Sequence, residues 1–138
     1  MKFETVLTEL AQLWGVNIPT ESDAIEIIDN QECLWVLECS KMSDTFTLYT
    51  HLNISLNAND INYWLSMNMK RDLLGSSWIG LDEGTLCLGL SLPKDKLDHH
   101  ELNNIFENML LIKEKLYLLA ASDADAHIDQ ALINIQFI

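Results

Sequence analysis

At 138 residues the chain has the length of one domain, long enough to bury a core and too short for two comfortable ones. Hydrophobic residues make up 49% and charged residues 21%, which excludes the apolar-poor, highly charged composition of disordered chains. Against 8 Lys and Arg stand 21 Asp and Glu, and the resulting charge of -13 repels nucleic-acid phosphates and anionic membrane surfaces alike.

Phe3, Val6, Leu7, Leu10, Leu13 and Trp14 recur at helical spacing, with Gly15 and Pro19 beyond them, and predict a first helix over about residues 2–14. Ala24 to Asp29 and Cys33 to Cys39 are two apolar runs of strand length around the turn-like Asn30-Gln31, which predicts a hairpin. Phe46, Leu48, Leu52, Ile54 and Leu56 alternate with polar residues and predict a third strand. Asn59 or Asp60 is placed to cap a second helix to about Leu74. At 100° per residue this helix has two apolar stripes, one of Ile61, Leu65, Met69 and Leu73 and one of Tyr63, Trp64, Met67 and Leu74, and one sheet cannot cover both. Ser77 to Leu81, the turn Asp82-Glu83-Gly84 and Thr85 to Leu92 predict a second hairpin, with Thr85, Cys87, Gly89 and Ser91 toward solvent. Asp98 with Glu101 resembles a capping box and opens a third helix over about 98–121. Ser122-Asp123-Ala124-Asp125 breaks its pattern, and Ala126 to Ile138 suits either a short helix through Ile128, Leu132 and Ile135 or a strand.

The helix, three strands, helix, two strands, helix order predicts an α+β fold, a twisted antiparallel sheet of about five strands packed with three helices. No stretch reaches the ~18 consecutive apolar residues of a membrane span, and Met1-Lys2-Phe3-Glu4 opens into an amphipathic pattern rather than a secretory signal, so the cytoplasm is the expected location. Cys33, Cys39 and Cys87 cannot all pair within the chain, and their apolar surroundings suit reduced, buried thiols.

The residues offer little chemistry. His99 and His100 are adjacent, point about 100° apart on a helix and do not easily share one metal ion. Cys33 and Cys39 lie six residues apart on a strand, too far to share an ion or a disulfide. His51, His127 and the carboxylates make no recognisable nucleophile–base arrangement, and no Gly-rich loop precedes a helix. No enzyme activity, metal or cofactor is expected.

Leu65-Ser66-Met67-Asn68 through Ser77-Trp78-Ile79-Gly80-Leu81-Asp82, then Gly84-Thr85-Leu86-Cys87-Leu88, Leu97 and the long helix, resemble the type III secretion chaperones that each serve one or a few effectors, the family named after the chaperone of the translocated intimin receptor. The resemblance covers residues 1–121, leaving 122–138 as a C-terminal extension. It implies a homodimer that holds an extended segment near the N-terminus of a bacterial effector without nucleotide, and it admits the secretion ATPase of the export apparatus as a further partner. The interrupting Asn68 and the apolar tail depart from the family pattern.

On this reading Tyr63, Trp64, Met67 and Leu74, with Trp78 nearby, are the candidate dimer interface, because their stripe needs a cover from outside the chain. Leu7, Leu10, Trp14, Ile25, Ile27 and Trp35 are the candidate lining of the effector-binding track, beside an unpaired strand edge. The alternative from a different class is a small acidic immunity or antitoxin-like protein that blocks a basic toxin with one concentrated acidic patch.

Overall fold

A computed structural model of the protein describes the backbone of residues 2–137 and the side chains of residues 2–122. Helix α1 (Phe3–Trp14) stops where Gly15 adopts a left-handed φ of 69°, so that the amides of Gly15 and Val16 satisfy the carbonyls of Gln12 and Ala11. Strands β1 (Ala24–Ile28) and β2 (Leu34–Glu38) follow as the expected hairpin. Its turn is organised by Asp29, whose Oδ1 accepts the amides of Gln31 and Cys33. Strand β3 (Thr45–His51) is shorter than its alternation suggested, although Leu52 keeps the inward side and its amide still reaches the carbonyl of Leu86.

The second helix is divided. It consists of α2 (Asp60–Ser66), a 3-10 turn (Met67–Met69) and α3 (Arg71–Leu74), with Asn57 rather than Asn59 or Asp60 accepting the first amides through its side chain. The cause of the break is Asn68. Its amide accepts from the N–H of Ile79 at 2.7 Å and donates to the carbonyl of the same residue at 2.8 Å, which draws the chain out of helical register. The two expected stripes therefore do not form, and Trp64, Met67 and Leu74 all turn into the core.

Strands β4 (Trp78–Asp82) and β5 (Thr85–Pro93) meet at a two-residue turn in which Glu83 and Gly84 both have positive φ, the geometry that matches strand twist. The sheet runs β1-β2-β3-β5-β4, antiparallel throughout. Helix α4 (His99–Phe137) begins at Asp98, whose carboxylate accepts the amide of Glu101. It runs through Ser122 to Asp125 without a break, since alanines surround these residues and no Gly or Pro stops it. The tail thus adopts the helical alternative, and its Ile128, Leu132 and Ile135 side chains lie outside the described residues.

Register places Ile25, Leu37, Leu48 and Leu90 in one row on the inner face of the sheet and Ile27, Trp35, Thr50, Leu88 and Ile79 in the next. Val6, Leu7 and Leu10 of α1 and Leu102, Phe106, Met109 and Leu116 of α4 cover them. The α4 stripe also carries Lys113 into the core, where its ammonium lies 2.5 Å from the Asp29 carboxylate. Asp29 also accepts from the Trp35 indole at 2.9 Å. Burial alone would raise the pKa of Asp29, but Lys113, Trp35 and the two turn amides outweigh it and hold it at about 2.

Candidate partner-binding surfaces

A sheet with two edges offers two places for an extended partner strand, and this one has closed one of them. Asn68 occupies both backbone groups of Ile79 on the outer edge of β4, and Arg71 donates to the carbonyl of Ser77 beside it. The edge of β1 has no such cover among the described residues. Since Cys39 bonds Asp23 and Asp29 bonds Cys33, antiparallel alternation points the N–H and C=O groups of Ala24, Glu26 and Ile28 away from β2, and all three residues are exposed.

Beside that edge lies apolar surface. Ile28 is 70% exposed and its cross-strand neighbour Leu34 is 45% exposed, both on the outer face. Leu13 and Val16 are exposed at the C-terminal end of α1. Four of the six side chains expected to line the track are core instead. Leu7, Leu10, Ile25 and Trp35 are at most 2% exposed, because α1 and α4 roll over the face that these strands and the helix share. Trp14 and Ile27 are half-buried. The Trp14 indole N–H donates to Asn103 at 2.7 Å and its ring meets Phe106 edge-on. Ile28 and Leu34 were missed, although fixing the hairpin register from the Asp29 turn pairs them across the strands.

The expected dimer surface divides in the same way. Trp64, Met67 and Leu74 are buried within the chain, whereas Tyr63 keeps an exposed rim and Met69 is almost fully open. Trp78 is half-buried, with its ring lying flat along the outer face of the sheet over Gly80 and Gly89. A Cβ on Gly89 would overlap that ring, which is why this position has no side chain. The same ring accounts for a difference from expectation, because Cys87 and Gly89, placed toward solvent by alternation, are buried. Tyr49 completes the outer row, held by a hydrogen bond to Glu38; burial first, then Glu38, push its hydroxyl up.

The basic groups of the grooves beside α1 are held by neighbouring groups. One groove of about 720 Å³ between α1 and the turns after β2 and β5 holds Lys41, paired with Glu4, and Lys94, spent on the carbonyls of Cys39 and Ser40. His99 at the start of α4 turns to Glu9 of α1 at 2.8 Å. No helix among the described residues is long and apolar enough to cross a membrane. Among the described residues the β1 edge is an open strand edge flanked by apolar side chains.

Comparison with solved structures finds the same fold. A chain of the HopA1–SchA chaperone–effector complex is similar over 82% of this chain and 91% of its own length, with 18% identity and a TM-score of 0.67. One in the ExsC–ExsE complex covers 81% and 88%, with 16% identity and a TM-score of 0.67. One in the heterodimeric ExoU–SpcU complex of the Pseudomonas aeruginosa type III secretion system covers 79% and 92%, with 20% identity and a TM-score of 0.60. No curated protein matches the sequence significantly. The profile of the Tir chaperone protein (CesT) family matches residues 5–116, and on that match the chain belongs to the Tir chaperone protein (CesT) family.

Proposed function

We propose that the protein is a type III secretion chaperone that binds the N-terminal region of a secreted effector in extended form and keeps it competent for export. The observation that carries this is the open β1 edge beside exposed Ile28 and Leu34, in a chain of the Tir chaperone family. A strand added there bonds to the outward groups of Ala24, Glu26 and Ile28, while its alternate side chains meet Ile28 and Leu34. Trp14 and Ile27 remain from the lining expected from sequence, and Leu13 and Val16 extend it. The chaperone acts in the bacterial cytoplasm, as a homodimer joined through the Tyr63 and Trp78 side, without catalysis. Both structural neighbours and family favour this reading over a toxin-blocking protein.

Co-purification of the chain from its native host, with mass spectrometry of what stays bound, identifies the effector. Glu26→Pro then tests the edge, because the N–H it removes points away from β2, so the ladder stays intact while strand addition is blocked. Ile28→Asp with Leu34→Asp tests the flank, where each side chain buried by a partner contributes about 1.5–3 kcal/mol. Both variants are expected to fold as the parent and to lose effector binding by orders of magnitude. Unchanged affinity in both places the partner elsewhere.

A further inference from the structure

On the outer face of the sheet, folding gathers three residues that lie far apart in sequence. His51 of β3 stands directly opposite Cys87 of β5, Cys87 stands opposite Gly80 of β4, and Asp82 follows two residues on, so all three side chains share one face. His51 Nε2 lies 2.9 Å from Asp82 Oδ2. One donor atom from each of His51, Asp82 and Cys87 lies within 4.8 Å of the other two, the one such group among the described residues. Beside them opens a pocket of about 360 Å³ lined by Glu38, Tyr49, Trp78, Gly80, Asp82 and Cys87.

We infer that His51, Asp82 and Cys87 form a binding site for a borderline divalent cation, zinc in particular. Zinc bonds of ~2.0–2.3 Å in tetrahedral geometry separate donor atoms by roughly 3.3–3.8 Å. The two exposed side chains therefore move about 1 Å toward the sulfur, and His51 Nε2 and Asp82 Oδ2 part slightly, while Cys87 is fixed on the central part of the sheet. Imidazole, thiolate and carboxylate together select zinc over calcium or magnesium, which take oxygen donors. On binding, the Cys87 thiol gives its proton to solvent, so thiolate and carboxylate neutralise the ion and water fills the fourth position. The chain's charge of -13 draws cations to the site. A metal there joins β3, β4 and β5 across their outer face, independently of effector binding.

The test uses the full chain, reduced, titrated with zinc against a chromophoric chelator and with cobalt(II), whose thiolate charge-transfer band reports sulfur ligation. One ion per chain and a charge-transfer band are expected. Cys87→Ser should remove the band, and His51→Gln should weaken zinc binding at least about tenfold. Zinc should raise the thermal midpoint of the parent but not of His51→Gln. His99→Gln with His100→Gln should bind as the parent does. Should Cys87→Ser fail to fold, His51→Gln, which alters an exposed side chain, decides alone. No band in the parent, a band that survives Cys87→Ser, or unchanged affinity in His51→Gln overturns the assignment and leaves His51 and Asp82 as an ordinary surface ion pair.

Discussion

Replacing Lys113 with Met keeps most of its length and apolar contact and removes only the charge that faces Asp29. The pair is almost wholly enclosed, with side chains 1% and 3% exposed. Asp29 would then be left as a carboxylate in the core with only the Trp35 indole and the amides of Gln31 and Cys33 to solvate it. Stranding one member of a buried pair costs about 3–5 kcal/mol. Against a total stability of about 5–15 kcal/mol, that loss is large and readable by urea denaturation followed by circular dichroism. Asp29→Asn with Lys113→Met should recover part of it, since neither charge remains.

The same pair sets an acid limb. The Asp29 carboxyl is lowered from 3.8 to about 2, so its contribution is complete above the unfolded value and is lost as pH falls through that interval. That lowering corresponds to on the order of 2 kcal/mol. The stability difference between the parent and Asp29→Asn should therefore shrink by about that amount between pH 5 and pH 2. Lys113→Met should show a shallower limb than the parent, because without the ammonium the carboxyl is less depressed. A cost below about 1 kcal/mol for Lys113→Met, with an unchanged limb, would mean that the pair is open to water, and would refute this account.

Gly89→Ala is expected to destabilise by about 1–3 kcal/mol by pushing the Trp78 ring off the sheet, and to cost much less in a Trp78→Ala background, as a double-mutant cycle by denaturant would show. Asn68→Ala should lose about 1–3 kcal/mol by leaving the N–H and C=O of Ile79 without their partner. The same variant should form larger species in light scattering, because it reopens the β4 edge.

The parts of the fold that were legible in sequence are those in which local pattern and tertiary contact agree. The 3.6-residue stripe of α1 ends at the Gly15 cap, and the strict alternation of Leu86, Leu88, Leu90 and Leu92 turns one side of β5 inward. Where a long-range contact overrode the local pattern, the reading failed. Asn68 has no reason within its own helix to leave it; the reason is Ile79, which lies eleven residues on. That one pairing removed the second apolar stripe, and with it most of the expected dimer surface. Lys113 did carry a signal, since it interrupts an otherwise apolar run of Leu102, Phe106, Met109 and Leu116, and a cation at a core position demands a buried partner. Four residues expected along the track are buried, because apolar residues on two faces of β1 and β2 do not say which face the helices cover. That depends on how α1 and α4 pack, which no local period encodes.

The two edges of the sheet differ in how they would meet a second copy of the chain. The β4 edge is sealed by a side chain that mimics a neighbouring strand, and Asn is suited to this because its amide offers one donor and one acceptor in the spacing of a peptide group. The β1 edge is left open but carries Glu26 at its centre. A second copy pairing antiparallel about that residue would set two carboxylates face to face, within a pair of chains each bearing -13. The hairpin that presents this edge ends at Asp29, and Asp29 is bound to Lys113 on α4, so the edge is held from behind by the core. An open edge that stays put and repels its twin selects for partners of different charge, and a basic or neutral extended segment meets that condition where an identical acidic strand does not.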